Sequence, residues 1–492
     1  MNVKKQFRII YLRIDDCMFK ESEIYFDDRI RDIDNNYLSI MIGNNGVGKT
    51  RLLRDIASIF LEISNKKEKV YSSYRSEIKS YFIKYLIDGN IYCIEKKGTI
   101  IKLYRNENSI GLEQLELPQK VLVNSFMIGD KFTYRSIENN AMYKYLGVRE
   151  TNARTSTTAV EKKIAESIIK GIEKEKFMYA MNEVMIFLGL KNKINLSYKT
   201  KLRKEVFLGH LEVNKFREIM NEKLIRRTKT DPFWKKKWEN IEYDEEIEKL
   251  VYFINVFSRR IDSKGCINYN IKFDSSYCNT EIIEEVMYLN KLIELDLIKA
   301  PTVKVFAEEM YGLSESSSGE LHILFLMTSI LSELENNSLI LMDEPEISLH
   351  PSWIIKFTEL INRMLSKYEG CHAIIATHSH FILSDLNEKN SNIIILKREN
   401  GRVKIESSAS YTYGWSAENI LYKVFGVPSC RNYYLTSEVQ KVLDVITRNE
   451  RVDISKELNM LRELEPNLSS SDPLRVVIEE LLKRAGDKHE SL

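Results

Sequence analysis

Hydrophobic and polar positions alternate with different periods along the chain, and the changes of period divide it into four segments. Up to about residue 150 the apolar runs are short, and RIIYL, YLSIMIG, GNIYCIEKKG, TIIKLYR and KVLVNSF read as strands. One amphipathic helix interrupts them after Thr50, with Leu52, Leu53, Ile56 and Phe60 on a single face. From about 151 to 300 the period turns helical and charge becomes dense, as in TTAVEKKIAESIIKGIEKEKFMYAMNEVMIFLGL and EIIEEVMYLNKLIELDLI. No heptad lasts the three or four repeats a coiled coil needs, which predicts compact helices rather than a rod. From about 301 to 400 the runs SLILMD and HAIIAT alternate with amphipathic stretches, the pattern of a parallel sheet with helices on its faces. After 401 the helical period returns. Val439, Val442, Leu443 and Ile446, and again Leu474, Val477, Ile478 and Leu481, recur at i, i+3, i+4 and i+7.

The expected architecture is α/β, with an N-terminal lobe over 1–150, a helical insertion over 151–300, a C-terminal lobe over 301–400 and a helical C-terminal domain over 401–492. Neither Pro/Gly-rich linkers nor internal repeats mark these boundaries. A chain of 492 residues with 43% hydrophobic residues buries a sizeable core without staples. Lys and Arg total 73 against 71 Asp and Glu, so any electrostatic partner must be met by a local patch rather than by the whole surface. Six scattered cysteines without a C-x-x-C pair argue against a disulfide framework or structural zinc. With no apolar stretch near the ~20 residues of a membrane span, the expected location is the cytoplasm.

Four sequence elements carry chemistry. Gly43-Asn44-Asn45-Gly46-Val47-Gly48-Lys49-Thr50 is a full G-x-x-x-x-G-K-[ST] between an apolar run and an amphipathic helix. Glycines there let backbone N–H groups turn inward around phosphate oxygens, and the helix N-terminus adds partial positive charge. Lys49 is expected to reach the β- and γ-phosphates of ATP and Thr50 the Mg²⁺. The run Ser338-Leu-Ile-Leu-Met ends in Asp343-Glu344-Pro345-Glu346. Acids at the C-terminal edge of such a strand face the P-loop crevice, which suits Asp343 to the metal and Glu344 to activating water. Ser316-Ser317-Ser318-Gly319-Glu320 opens a helix and, taken alone, is an N-cap. Ala376-Thr377-His378 ends HAIIAT and would bring His378 to the same edge, within reach of a γ-phosphate; His380 follows two residues on.

In this order, the four elements resemble the ATP-binding-cassette branch of P-loop ATPases, the SMC and RecF kind. Asp-Glu-Pro-Glu-Ile-Ser-Leu-His-Pro is similar to the soluble ATPases of the overcoming-lysogenization-defect family. That resemblance implies an ABC-type head in which Ser317, Gly319 and Glu320 of one protomer complete the site of another. The family's Leu before the serine is Ser316 here, and its glutamine after the first lobe is replaced by VLVNSFMIGDKF, leaving Asn124 or Ser125 to serve. MYKYLGVRE and YGWSAENILYKVFGVPSCRN are similar to the ATPase subunit of Septu anti-phage systems and of Septu-like retron effectors. This likeness implies an oligomeric ATPase that regulates a separate HNH nuclease. After His378 there is no Asp-x-Asp of a TOPRIM domain, and His380 and His489 are the only later histidines, so no nuclease site of its own is expected. The rival reading is a RecF/SMC-like DNA-binding ATPase of repair or chromosome maintenance, and the two share every catalytic residue.

One stretch stands apart. Residues 199–237 hold 13 basic and 5 acidic residues, and Phe233, Trp234 and Trp238 interleave with Lys235, Lys236 and Lys237. This composition suits a nucleic-acid grip in the segment 199–238, and it equally suits a solvated helical face with ordinary core aromatics.

Overall fold

The computed structural model describes residues 6–16, 18–19, 22–27, 36–69, 78–127, 130, 132–133, 140–149, 157–201, 210–227, 244–274, 280–383, 386, 389–399, 402–408, 433–448, 454–468 and 473–489. The strands expected at RIIYL, YLSIMIG, GNIYCIEKKG, TIIKLYR, KVLVNSF, SLILMD and HAIIAT all form, and ten further strands stand beside them among the described residues. They are β1 (Phe7–Asp15), β2 (Ser22–Tyr25), β3 (Tyr37–Gly43), β4 (Ser80–Ile87), β5 (Asn90–Lys97), β6 (Ile100–Arg105), β7 (Asn108–Ser109), β8 (Val121–Ser125) and β9 (Tyr143–Tyr145). Later come β10 (Lys193–Lys199), β11 (Cys266–Lys272), β12 (Thr302–Phe306), β13 (Met310–Gly312), β14 (Leu339–Asp343), β15 (His372–Thr377), β16 (Ser391–Glu399) and β17 (Arg402–Ser408).

Seven strands make the central sheet in the order β17-β16-β3-β15-β14-β8-β9. All its neighbours are parallel except the β16–β17 hairpin. β3, β14 and β15 are buried along their whole length, as strands covered on both faces must be. A second sheet, β2-β1-β4-β5-β6-β7, is antiparallel. Between the two lies α1 (Lys49–Lys67), whose Leu52, Leu53, Ile56, Phe60 and Ile63 join one core with residues of both sheets. Phe60 meets Phe7 and Tyr85 edge-on at centroid distances of 5.9 and 5.6 Å. A buried imidazole also ties the sheets. Ile9 N–H of β1 donates to His372 Nδ1 (3.2 Å), so Nε2 carries the proton and donates to Ser39 Oγ of β3 at 2.9 Å. Burial, with Arg8 adding to it, holds this histidine well below its usual pKa.

The insertion departs from the helical expectation. α2 (Thr157–Gly171), α3 (Glu175–Phe187), α4 (Val213–Arg227), α5 (Asp244–Ser258) and α6 (Thr280–Glu294) are present, but they accompany a third sheet, β11-β10-β12-β13, that is antiparallel. Its strands follow period 2: Ile194, Leu196 and Tyr198, like Ile267, Tyr269 and Ile271, are buried while the residues between them are polar. The strands β12 and β13 lie in the segment expected to form the parallel lobe, yet they belong to this sheet. α7 (Ser318–Glu333), α8 (Pro351–Ile355) and α9 (Phe357–Leu365) complete the head.

The chain divides into a unit Met1–Gly414 and a unit Trp415–Leu492. The boundary therefore falls later than residue 401, because β17 pairs with β16 inside the central sheet. In the second unit, α10 (Tyr433–Arg448), α11 (Ser455–Leu464) and α12 (Pro473–His489) enclose a small core of Val442, Leu458, Leu461, Ile478 and Leu481. Val439 and Leu474 are partly buried against it. Leu443 and Val477 are exposed, so the apolar stripe is narrower than the spacing predicts; Ile446 lies outside the residues whose side chains are described. Among the described residues no helix is long and apolar enough to cross a membrane.

Candidate functional site

Parallel register fixes which chain segments meet. Thr377 sits opposite Ile42, Ala376 opposite Asp343, and Asp343 opposite Ser125, so the C-terminal ends of β3, β15, β14 and β8 share one edge. β3 leaves that edge through Gly43, where a Cβ would lie 2.4 Å from Leu396 O of β16; no larger residue fits without parting the strands. Gly48, with φ +109°, caps α1 and takes Met18 so close that a Cβ would meet its Cε at 2.7 Å. No acidic residue occupies the first turn of α1, which leaves that N-terminus open to an anion.

Lys49 and Thr50 begin that helix. The buried Lys49 ammonium donates to Gly43 O at 2.8 Å and lies 3.0 Å from His378 Nδ1 and 3.1 Å from its Nε2. His378 Nε2 lies 2.6 Å from Glu344 Oε1. When Nε2 carries the proton and donates to Glu344, Nδ1 is the ring nitrogen that accepts from Lys49. Thr50 Oγ1 donates to Asp343 Oδ1 at 2.9 Å, across 293 residues of sequence. Burial lowers the Lys49 pKa to about 8, against the opposing pull of Glu344, Asp343 and Glu346. Burial likewise pushes Asp343 up to about 7; Glu344 and Asp130 add to that rise, and Thr50 and Lys49 oppose it. A divalent cation would relieve this desolvated carboxylate. One hydroxyl and one carboxylate oxygen are a donor set that Mg²⁺ accepts when phosphates and water supply the rest.

Glu346 is a participant for which the sequence analysis proposed no role. Its Oε1 accepts from Thr377 Oγ1 (2.5 Å) and from His378 N–H (2.9 Å), while Oε2 is buried with no partner. Glu344 itself has φ +50°, strained for a non-glycine residue, and its N–H donates to Ala376 O at 2.8 Å. The turn after β14 is thus held against β15 by both glutamates.

The structure brings Lys49, Thr50, Asp343, Glu344 and His378 together. Among the described residues, Ser317 and Gly319 make no hydrogen bond to that group. Ser317 caps α7: its hydroxyl accepts from Glu320 N–H, and the Glu320 carboxylate accepts from Ser317 N–H. Gly319 packs so closely that a Cβ would lie 3.0 Å from Ser348 O and 3.1 Å from the Trp353 ring. One turn on, His322 ties α7 to the segment after Glu344, with Nδ1 2.5 Å from Ile347 O and the ring stacked on Phe126 at 4.1 Å. Burial pushes His322 down to about 4. Asn124 donates to Leu146 O, and Ser125 Oγ accepts from Met127 N–H. Nearby Asp130, bonded to Tyr145 and paired with Arg149, is a further buried carboxylate that Asp343 senses. Residues 228–243, with Phe233, Trp234, Trp238 and Lys235 to Lys237, lie outside the described residues, as does 413–432.

Residues 283–384 match the family model described as "AAA domain, putative AbiEii toxin, Type IV TA system". That span holds Ser317, Asp343, Glu344 and His378, and the P-loop joins them in space. The first unit carries a P-loop ATPase domain. Over 120 residues the chain is 32% identical to Protein ea59 of Escherichia phage lambda, an alignment that covers 23% of this chain and 22% of that one. The chain is also similar to an SMC head bound to the C-winged helix domain of ScpA (11% identity, TM-score 0.37, 82% of this chain and 97% of that one). A similar likeness is found to the SMC head domain from Thermotoga maritima (12% identity, TM-score 0.35, 82% and 99%).

Proposed function

We propose that this ATPase domain is of the ABC/SMC type, binds ATP with Mg²⁺ at the P-loop and hydrolyses it slowly as a dimer or higher oligomer. We further propose that it regulates a separate HNH-type nuclease in anti-phage defence. The observation that carries the first part is the convergence of Thr50 on Asp343 and of Lys49 and Glu344 on His378 at one sheet edge.

In this reading the Lys49 ammonium leaves Gly43 O for the β- and γ-phosphates, while the N–H groups opening α1 hold the phosphate oxygens. Asn44, Asn45, Gly46 and Val47 shape the backbone that does so. Thr50 and Asp343 would hold a Mg²⁺, which would supply neutralising charge for the phosphates. Glu344 accepts the proton of the attacking water, and His378, fixed by Glu346, positions both Glu344 and the γ-phosphate. Ser317 and Gly319 would act on the nucleotide of a second copy, as an exposed N-cap at the start of α7 permits.

Replacing Glu344 by Gln tests the shared site. It removes the base without removing the phosphate contacts, so turnover falls ~10²–10⁴-fold and ATP accumulates between paired heads. Light scattering of Glu344→Gln with and without ATP reads the outcome. A mass unchanged by ATP at micromolar protein contradicts the composite site. Co-purification of a nuclease encoded beside this chain tests the regulatory part.

A further inference from the structure

The two faces of the β11-β10-β12-β13 sheet differ in composition: one is apolar and the other polar, and on the polar face Asn195 and Ser197 of β10 are themselves buried. The apolar face buries Ile194, Leu196, Ile267, Tyr269, Ile271, Val303 and Val305. On the other face the register sets out polar rows. Lys193 of β10 stands directly opposite Lys272 of β11, and Asn195 stands between Asn270 on one side and Lys304 on the other. Like charges thus stand directly opposite one another across this pair of strands.

These rows floor a shallow depression of about 540 Å³. Among the described residues, Lys193, Lys264, Lys272 and Lys304 line it, against the single carboxylate of Asp262. That carboxylate is already engaged locally: Oδ1 accepts from the N–H groups of Lys264 and Cys266, and Oδ2 from Asn268. Phe306 offers an aromatic face beside the lysines, with the Lys193 ammonium 4.3 Å from its centroid. Asn195, only 5% exposed, donates Nδ2 to Asn270 Oδ1 at 3.1 Å and leaves its own Oδ1 buried without a partner.

We propose that this polar sheet face binds a nucleic-acid strand, the lysines on its phosphates and the asparagine and Phe306 on its bases. Clustered lysines alone would suit any polyanion. The unpartnered Asn195 oxygen narrows the choice, because carboxylate and ionised phosphate groups have no hydrogen to give it, whereas base amino groups do. An aromatic beside a basic track is likewise what stacked bases use. The site is built from residues other than those of the P-loop edge, and it stands whether or not ATP is hydrolysed.

The test uses the full chain and a fluorescein-labelled single strand of about 30 nucleotides, followed by anisotropy over a salt series, with labelled poly-glutamate in parallel. Each phosphate contact on a single strand contributes about 0.7 to the slope of log K against log salt. Lys193→Gln with Lys304→Gln is therefore expected to cut the slope by about 1.4 and the affinity about 25-fold at ~0.1 M salt. Circular dichroism and retained ATP binding establish that the variant is folded. Should it not fold, Lys264→Gln in the exposed turn before β11 is expected to lower the slope by about 0.7. Phe306→Leu is expected to weaken binding at an unchanged slope. Parental slope and affinity in the folded lysine variants would overturn the proposal, as would poly-glutamate binding as tightly as the strand with the same losses.

Discussion

Replacement of Glu346 by Ala separates holding the nucleotide from reacting it. The carboxylate makes two hydrogen bonds to the end of β15, to Thr377 Oγ1 and to His378 N–H, and none to the P-loop. A hydrogen bond to a charged group contributes about 1.5–3 kcal/mol. Losing only one bond's worth of preference for the aligned His378 lowers its population about 10- to 100-fold. The turnover number is expected to fall by that factor, while the Kd for ATP moves less than about threefold because Lys49, Thr50 and Asp343 are untouched. Glu346→Gln, which keeps one acceptor oxygen, should lie between the parent and Glu346→Ala. Phosphate release under saturating ATP gives the turnover number, and equilibrium binding of labelled ATP gives Kd. Parental turnover in Glu346→Ala, or a loss of affinity as large as the loss of turnover, would refute the reasoning.

Three further outcomes follow from packing and charge. His322 is neutral when folded and charged when unfolded between about pH 4 and the ordinary imidazole value of 6.5, so the stability it confers is full above 6.5 and lost as the pH falls towards 4. That loss approaches about 3 kcal/mol, and urea midpoints at pH 7 and 4.5 should converge in His322→Gln relative to the parent; an equal drop in both contradicts it. Gly43→Ala sets a methyl against Leu396 O and should cost about 1–3 kcal/mol, read as a lowered Tm; an unchanged Tm would mean that β16 yields freely. Ending the chain at Gly414 should leave Lys49-dependent ATP binding intact while removing any nuclease that docks on the second unit; loss of ATP binding would show instead that those helices support the head.

Local order in the sequence decided what could be read from it. The P-loop was legible because strand, glycine loop and helix are contiguous, and Asp343-Glu344 because a four-residue apolar run ends in two acids. Glu346 lay in the same string, yet its work depends on Thr377 and His378, 31 and 32 residues on, which only the β14–β15 register brings near. His322 carried no sequence signal, since its partners Ile347 and Phe126 come from separate segments. The third sheet was obscured by charge: KINLSYK and CINYNIK alternate with period 2, but between helical stretches dense in Lys and Glu the alternation was outweighed by the surrounding helical pattern. In the second unit, Val477 and Leu443 fit the helical spacing and still face outward, because among the described residues three helices enclose a core of five buried side chains.

The central claim is that ATP is held by the P-loop at the edge where β3, β14 and β15 end. Equilibrium binding of labelled ATP with Mg²⁺ to Lys49→Ala tests it most directly, with circular dichroism and an unchanged Tm to establish the fold. The account predicts that binding falls at least about 100-fold, since the lost charge-assisted contacts to phosphate are each worth about 1.5–3 kcal/mol. Full-affinity binding by a well-folded Lys49→Ala protein would contradict it.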